Sequence, residues 1–364
     1  MNDREIALIL VLGAALLAAI LSWVGAFATR RLAWKYGALS YPGGRREHAV
    51  AMPQWGGLGI CLVVIALIGL AGGLGWLEQT RLEPLQITGF LVGLVILLVG
   101  GLIDDRKELP AHLQILFPLA AAFVVLETGT TIAQVTQPLG HGGLSLVWWS
   151  RDLVSWWPGV SQFPADLITL AWIVVATYTT KILDGLDGLV TGLTVIGAGL
   201  VGALSLSSAY FQPAIALISG IVGGAFLGFL PHNRHPAKQY LAEAGSLIAG
   251  FSLAVLAILS TAKIAIALAV LALPIMDLIL VALGRIRRGV PWYRGDRSHL
   301  HFKLLAAGLP YRLAVLLMWL IALSAGVVAL TLQTKGKIFL ILGLFILAVV
   351  ASYVAGFYAR KNRR

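Results

Sequence analysis

Charged residues are scarce in this sequence. Asp, Glu, Lys and Arg make up 12% of its 364 residues, whereas hydrophobic residues make up 59% and the mean hydropathy is +0.89. An ordinary soluble domain contains about 25% charged residues, so this composition excludes a soluble globular fold of this length. The chain is predicted to be an integral membrane protein.

Cysteine and nucleotide-binding glycine motifs are also lacking. The single cysteine, Cys61, lies in an apolar stretch, which excludes a disulfide framework. No Gly-rich fingerprint follows a strand pattern, which excludes a dinucleotide-binding or P-loop enzyme. The formal net charge is +11. This charge reflects membrane sidedness, so no nucleic-acid partner is predicted.

The sequence contains many long apolar runs. A membrane-spanning helix needs about 20 mostly apolar residues. The sequence therefore predicts an all-α polytopic membrane protein of about 10–11 transmembrane helices, in a single domain over residues 1–364. Closely spaced glycines between 220 and 228 predict tight helix packing. The candidate spans are 6–29, 56–77, 87–103, 113–126, 167–183, 189–206, 211–230, 246–260, 264–283, 313–332 and 338–358.

The loops between these spans carry their basic residues unevenly. Cytoplasmic loops are enriched in Lys and Arg. Threading the eleven spans alternately puts most basic residues on the side of the C-terminus. This predicts an inner (plasma) membrane protein with a cytoplasmic C-terminus. Only six basic residues fall on the other side: Arg4, Arg81, Arg151, Lys263, Lys335 and Lys337.

Acidic side chains within or at the ends of the spans cluster on that same cytoplasmic side, although the threading depends only on Lys and Arg. A carboxylate beside hydrocarbon requires a partner, a cation or a water-filled site. Adjacent acids repel, and Mg²⁺ is held by carboxylates, phosphates and water. Arg and Lys on the same side can bind phosphate oxygens. Together, these acidic and basic residues predict one composite metal and diphosphate site. The acids are Asp104, Asp105, Asp184, Asp187, Glu243 and Asp277.

Five motifs in order carry a family resemblance. They are YP, RREH and PQWGG between 41 and 57, GGLIDDR at 100–106, LDGLDGL at 183–189, FLPHNRHPAK at 229–238 leading into GSL, and GDRSHLH at 295–301. Together they resemble the polyprenyl-phosphate N-acetylhexosamine-1-phosphate transferase superfamily, glycosyltransferase family 4. It includes phospho-N-acetylmuramoyl-pentapeptide transferases and undecaprenyl-phosphate GlcNAc-1-phosphate transferases. The match covers residues 30–309.

The resemblance implies a reaction. These enzymes pass a sugar-1-phosphate from a UDP-sugar to a polyprenyl phosphate, such as undecaprenyl phosphate, and release UMP in cell-wall and envelope glycan biosynthesis. It implies Mg²⁺ as cofactor, with Mn²⁺ as the alternative ion. The implied partners are a UDP-activated amino sugar, the lipid phosphate and the membrane. The short loop from 285 to 303 favours a simple amino sugar, and a homodimer stays open.

Roles follow from motif position. Asp184 and Asp187 resemble the family's nucleotide- and metal-contacting pair, and Glu243 takes the place of its metal-binding Asp. Asp104 and Asp105 are expected to bind metal or orient the acceptor, with proton removal as the alternative. The four aspartates are the predicted catalytic residues. Residues expected to bind substrate are Lys181, Arg45, Arg46, His48, Lys238, Arg294, Arg297, His299 and His301.

Several positions depart from the family pattern. Lys181 stands where the family has a metal-contacting Asn, and a protonated Lys has no acceptor with which to bind Mg²⁺. The third His of the usual cluster is Phe302. We predict that Lys181 pairs with Glu243 or a substrate phosphate and does part of the cation's work. The predicted metal ligands are Asp104, Asp105, Asp184, Glu243 and the position of Lys181.

Alternatives to this enzyme stay open. Intramembrane acids also mark transport pathways, so a transporter of an anionic metabolite is one alternative. A catalytically inactive membrane scaffold of the same fold is another. For Asp277, which lies within a span beside Pro274, a structural pairing with Lys or Arg is favoured over catalysis.

Overall fold

The computed structural model describes residues 2–42, 50–78, 82–137, 142–152, 160–260, 264–291 and 297–362. Helices account for most of these ranges. They are α1 (Asp3–Tyr36), α2 (Gly56–Gly73), α3 (Pro84–Lys107), α4 (Ala111–Gln114), α5 (Leu116–Glu127), α6 (Ala165–Leu183), α7 (Leu189–Ser205), α8 (Pro213–Asn233), α9 (Ala242–Leu259), α10 (Ile264–Arg287), α11 (Leu300–Ala306), α12 (Tyr311–Thr331) and α13 (Thr334–Lys361).

The strands are short and lie in the connections between helices. Each of the three sheets in the described ranges is a two-stranded antiparallel pair. The pairs are β1 (Leu39–Ser40) with β2 (Met52–Pro53), β3 (Gln134–Thr136) with β4 (Gly143–Ser145), and β5 (Val147–Asp152) with β6 (Val160–Pro164).

The helices match the predicted spans. Nine helices in the described part of the chain are long and apolar enough to cross a membrane. Two further apolar segments are shorter: Ala111–Glu127, which contains α4 and α5, and Leu189–Ser205, which is α7. Together they account for the eleven candidate spans. The prediction of an all-α polytopic membrane protein is therefore confirmed.

Tight glycine packing joins α1 to α8. A Cβ atom at Gly224 would collide with the backbone carbonyl of Ala15, and one at Gly228 would collide with that of Ala19. Only glycine lets the two backbones approach this closely, as small residues do in membrane helix pairs generally. The close packing predicted for residues 220–228 is confirmed.

Helix α9 lies at the centre of the bundle. All of its residues from Ala244 to Leu259 are buried, and it packs against α2, α3, α6 and α7. Phe251 stacks on Phe90 of α3 with ring centroids 5.8 Å apart, and Trp172 of α6 donates its indole N–H to the Ala254 carbonyl at 3.2 Å. These contacts fix the position of the N-terminus of α9, where Glu243 lies.

A substitution in the α1–α8 contact tests this packing. Gly224→Ala must push α8 away from Ala15, and overpacking of this kind costs about 1–3 kcal/mol. We expect a lower thermal unfolding midpoint for the purified protein in detergent. Gly199→Ala in α7 is the matched control, because a Cβ atom there meets nothing within 4 Å. Equal midpoints for both variants would contradict the packing.

Candidate active site

The predicted acids converge at one end of the helix bundle. Asp104 and Asp105 end α3, Lys181 lies in the last turn of α6, and Glu243 lies in the first turn of α9. Asp184 caps the C-terminus of α6. Direct contacts between these residues join α3, α6 and α9 into one cluster, which we call the carboxylate cluster (Asp104, Asp105, Asp184 and Glu243, with Lys181).

Asp105 joins α3 to the start of α9. Its Oδ1 accepts the backbone N–H of Glu243 at 2.9 Å, which satisfies a donor at a helix N-terminus where negative charge is favoured. Its Oδ2 is shielded from solvent and accepts no hydrogen bond from the described residues. Asp104, Asp184 and Glu243 are near enough to repel it. Asp105 therefore has one buried carboxylate oxygen without a donor among the described residues.

Asp104 is held by the turn that follows α3. Its Oδ1 accepts the backbone N–H of Leu109 at 2.7 Å and the Gln114 amide at 3.1 Å. Its Oδ2 lies 3.6 Å from the Lys181 ammonium. The neighbouring acids Asp104 and Asp105 therefore have different surroundings, which the sequence did not distinguish.

Lys181 is the cation of the cluster. Its Nζ lies 2.9 Å from Glu243 Oε2 and donates to Gln114 Oε1 at 2.8 Å. The predicted pairing of Lys181 with Glu243 is confirmed. Four carboxylates and one ammonium give this cluster a formal charge of −3 when all are ionised.

Asp184 and Asp187 occupy different environments although they are three residues apart. Burial, with the negative charges of Glu243 and Asp187, raises the pKa of the Asp184 carboxyl well above its usual value. Asp187 Oδ2 accepts from His235 Nδ1 at 2.9 Å and from the backbone N–H of Ala237 at 3.1 Å. Asp187 therefore ties its loop to the segment after α8, while Asp184 faces the carboxylate cluster.

Asp277 contacts the residues at the start of α11. Its carboxylate accepts from His299 Nδ1 at 2.9 Å and from the backbone N–H of Leu300 at 2.8 Å. The hydrogen bond from Leu300 caps the N-terminus of α11. The hydrogen bond from Nδ1 fixes the orientation of the His299 ring and places a proton on Nδ1. A structural role for Asp277 is supported through a histidine and a backbone amide, and a pairing with Lys or Arg is not among its contacts with the described residues.

His301 extends this arrangement toward the Asp184 loop. Its ring stacks on that of His299 with centroids 5.8 Å apart. A Cβ atom at Gly185 would lie 2.7 Å from His301 Nε2, so the ring lies against the loop. Neither ring nitrogen has a hydrogen-bond partner among the described residues. Burial lowers the pKa of His301 to about 3, so the imidazole is neutral.

The remaining predicted substrate-binding residues are exposed or lie outside the described ranges. Lys238 and Arg297 are exposed, and the Arg297 guanidinium lies 6.0 Å from the centre of the Phe302 ring. Lys238 follows the His235 segment that Asp187 contacts. The predictions for Arg45, Arg46, His48 and Arg294 fall on residues outside the described ranges.

The cluster contains the kind of donor atoms that a hard divalent cation prefers, but the spacing of these donors is not that of a metal site. In the described ranges, no group of three or more His, Cys, Asp or Glu side chains is arranged to hold a metal ion. The cluster nevertheless supplies oxygen ligands, which Mg²⁺ prefers, and includes the buried Asp105 Oδ2 without a partner. The chemistry of the donors therefore fits such an ion in the carboxylate cluster, with Asp105 as one of the residues that would hold it.

Three residues that support the site were not named as site residues from the sequence. Gln114 bridges Asp104 and Lys181, and the Tyr311 hydroxyl contacts the backbone N–H of Asp187. Asn233 Oδ1 accepts from the Gly188 backbone at 3.1 Å. Gln114 and Tyr311 are marked only as polar residues at an end of an apolar span, whereas Asn233 lies within the FLPHNRHPAK motif.

Comparison of the sequence with known proteins shows the family to which this chain belongs. The profile of glycosyl transferase family 4 matches residues 87–261. A Bacillus subtilis (strain 168) protein, described as a probable undecaprenyl-phosphate N-acetylglucosaminyl 1-phosphate transferase, is 32% identical over 341 residues, or 91% of this chain and 88% of the relative. The chain belongs to glycosyl transferase family 4. The family resemblance read from the motifs is confirmed, and this membership indicates a phosphoglycosyltransferase.

Other members of family 4 match over different lengths. A decaprenyl-phosphate N-acetylglucosaminephosphotransferase of Mycobacterium tuberculosis (strain ATCC 25618 / H37Rv) is 30% identical, covering 87% of this chain and 80% of the relative. A phospho-N-acetylmuramoyl-pentapeptide-transferase of Synechococcus sp. (strain CC9311) is 29% identical, covering 68% of this chain and 64% of the relative.

The neutral state of His301 predicts a pH dependence of stability. The usual pKa is 6.5 and the folded value is about 3, so the unfolded chain takes up the proton first as the pH falls. The contribution of neutral His301 to the free energy of unfolding is fully present above pH 6.5 and is lost progressively as the pH falls from 6.5 to about 3. Lowering the pH from 7.5 to 5 should cost about 2 kcal/mol through this residue.

The His301→Gln variant isolates this contribution. We expect its unfolding midpoint in detergent to fall less between pH 7.5 and 5 than that of the unmodified protein, because Gln does not titrate. Parallel pH profiles for the two proteins would show that His301 does not carry the predicted dependence.

Proposed function

We propose that this family 4 member transfers an N-acetylhexosamine-1-phosphate from a UDP-sugar to a polyprenyl phosphate at the cytoplasmic face of the inner membrane. An oxygen of the lipid phosphate attacks the sugar-proximal phosphorus, the bond from that phosphorus to the UMP oxygen breaks, and UMP leaves. One pyrophosphate linkage replaces another, so no ATP is required. The product is a lipid-linked sugar diphosphate for cell-envelope glycan synthesis.

The observation that supports this proposal is the convergence of acids from α3, α6 and α9 around Lys181. Its contacts with Asp104 and Glu243 and the Asp105–Glu243 hydrogen bond form a compact charged site at the end of otherwise apolar helices. Such groups beside hydrocarbon indicate function. Family membership and the names of the relatives make phosphoryl transfer the chemistry that best fits it.

Positioning and charge neutralisation are the main tasks in this reaction. The transferred phosphoryl group needs its attacking and leaving oxygens in line and its charge compensated. The second pKa of a phosphomonoester is about 6, so the lipid phosphate is largely dianionic at pH 7 and a strong general base is not required. Asp104 is held by Leu109 and Gln114, which suits a fixed electrostatic role.

Asp105 and Asp184 would hold the divalent cation, Mg²⁺ or Mn²⁺. When bound, the ion supplies positive charge to the diphosphate. Lys181 would add a fixed ammonium beside it, and the exposed Lys238 and Arg297 would bind phosphate oxygens of the substrates. Asp187 keeps the loop after α6 in register through His235.

The histidines provide polar groups for the sugar. His299 is oriented by Asp277, and the ring nitrogens of neutral His301 have no partner among the described residues. Arg294, Arg45, Arg46 and His48 complete the proposed substrate contacts, the last three toward the lipid phosphate. N-acetylglucosamine is the proposed sugar, because the relatives named for it align over 80% or more of their length, against 64% for the muramoyl-pentapeptide enzyme.

A UMP-release assay tests the reaction. Purified protein is incubated with undecaprenyl phosphate and Mg²⁺, together with UDP-N-acetylglucosamine, UDP-N-acetylgalactosamine or UDP-N-acetylmuramoyl-pentapeptide. We expect lipid-dependent UMP release, fastest with UDP-N-acetylglucosamine. Release with none of these donors would favour the scaffold or transporter alternatives.

Two carboxylate variants make the assay specific to the site. Asp105→Asn should lower the rate at least about 100-fold, because it removes a proposed ligand of the divalent cation that compensates the charge of the diphosphate. Asp3→Asn is the matched control, since Asp3 lies exposed in the first turn of α1. A similar rate for both variants would contradict the assignment of the site.

Cysteine labelling tests the proposed orientation. Cys61→Ala removes the single, buried cysteine. Into this background we introduce Ser208→Cys, in the exposed connection between α7 and α8, or a cysteine after residue 364. In intact cells a membrane-impermeant maleimide should label Ser208→Cys and spare the terminal cysteine, and the opposite pattern would overturn the topology.

A further inference from the structure

A pair of strands rich in aromatic residues lies at the end of α6 opposite the carboxylate cluster. Strand β6 runs directly into α6 at Ala165, and β5 pairs with it so that Trp149 lies opposite Phe163. Residues directly opposite each other in an antiparallel pair share one face. Trp148 is 75% exposed and Trp149 is 56% exposed, and Phe163 is exposed as well. Three large aromatic side chains thus project from β5 and β6, which we call the aromatic hairpin.

The aromatic hairpin is fixed to the first turn of α6. The backbone N–H of Ala165 donates to the Leu146 carbonyl at 3.1 Å, and the backbone N–H of Gln162 donates to Asp166 Oδ2 at 2.6 Å. The other carboxylate oxygen of Asp166 accepts the Thr131 hydroxyl at 3.0 Å. Because these bonds hold the hairpin at its α6 end, the position of α6 determines the position of the hairpin.

The length of α6 determines how deep its N-terminus lies in a bilayer. The helix has 19 residues, which corresponds to about 28 Å, and the hydrocarbon core of a bilayer is about 30 Å thick. Lys181 lies in the last turn of α6, and its ammonium requires the polar side of that core. The N-terminus of α6 therefore lies at or just inside the opposite boundary of the core, and any tilt of the helix moves it further inward.

This depth places the aromatic side chains among lipid headgroups. Phe163 is two residues before Ala165, or about 7 Å along an extended strand, and each headgroup layer is about 5–8 Å thick. Trp149 lies beside Phe163. The first turn of α6 adds the exposed apolar residues Leu167 and Ile168, so the hairpin is continuous with the lipid-facing surface of a membrane span. Tryptophan is enriched at this depth because its ring is amphipathic.

We propose that the aromatic hairpin is a membrane-binding surface, and that its partner is the phospholipid headgroup layer of the leaflet opposite the carboxylate cluster. Trp148, Trp149 and Phe163 insert among the headgroups, and the hairpin thereby holds α6 at a fixed depth. Lys181 lies near the far end of the same helix, so this anchor also fixes the height of the carboxylate cluster above the other leaflet. The proposal goes beyond the proposed reaction and does not depend on it.

Depth-dependent fluorescence quenching tests this surface. Trp149→Cys and Val175→Cys are made separately in the Cys61→Ala background, labelled with a nitrobenzoxadiazole fluorophore and placed as full-length protein in nanodiscs of phosphatidylethanolamine and phosphatidylglycerol. A nitroxide on the lipid headgroup should quench the label at position 149 at least about twofold more strongly than a nitroxide at the end of the acyl chain. The order should reverse for Val175→Cys, because Val175 is exposed near the middle of α6.

Quenching by iodide, which stays in water, separates the lipid partner from the alternatives. The reference for full exposure to water is the same fluorophore on a cysteine added after residue 364 through a Gly-Ser linker. Iodide should quench the label at position 149 at most about half as strongly as this reference. Equal quenching would show that the hairpin is surrounded by water. Protection from iodide and from both nitroxides would show a protein partner, such as a second copy of the chain. Either result would overturn the proposal.

A second labelling position keeps the test decisive even when Trp149→Cys does not fold. Phe163→Cys places the fluorophore on the cross-strand partner of Trp149, and it should show the same preference for the headgroup nitroxide. Stronger quenching of this label by the acyl-chain nitroxide or by iodide would contradict the depth derived from α6. Because these experiments contain no UDP-sugar and no polyprenyl phosphate, their failure is distinct from a failure of the UMP-release assay.

Discussion

The contact of Lys181 with Asp104 and Glu243 is the interaction on which the site depends. Four carboxylates meet at the ends of apolar helices, where charge without a counter-ion is costly. The ammonium lies 2.9 Å from Glu243 and 3.6 Å from Asp104, so it compensates two of them and leaves Asp105 with a buried oxygen that accepts nothing among the described residues. The ammonium thus lowers the cost of bringing these carboxylates together at the end of apolar helices.

Rigid helix packing makes this arrangement possible. Helix α9 is buried along nearly its whole length, and its N-terminus carries Glu243 toward Asp105 and Lys181. Contacts such as the Phe90–Phe251 stack and the Thr180 hydroxyl donating to the Ser246 carbonyl at 2.8 Å keep α3 and α6 in register with it. Interactions from rigid elements of this kind place charged groups more precisely than loops do.

The histidines form a second, differently organised part of the site. Asp277 reaches from a membrane-spanning helix to orient His299 and cap α11, and His299 in turn stacks on His301. Because His301 is neutral and buried, it offers hydrogen-bonding atoms without adding charge to an already crowded region. Charge and hydrogen bonding are thereby supplied by different segments, the carboxylate cluster and the α11 region.

The sequence by itself determined the membrane class, the apolar helices, the tight glycine packing at residues 220–228 and the family, because hydrophobic run length and motif order are local properties of a chain. It also indicated that Lys181 would pair with Glu243 or with a substrate phosphate. The tertiary structure decided which oxygen of which acid each donor reaches. Asp104 and Asp105 are adjacent in sequence, yet one is bound by Gln114 and Lys181 and the other by the α9 backbone. Such differences depend on contacts between residues far apart in the chain, including Asp277 with His299, and no local pattern encodes those distances.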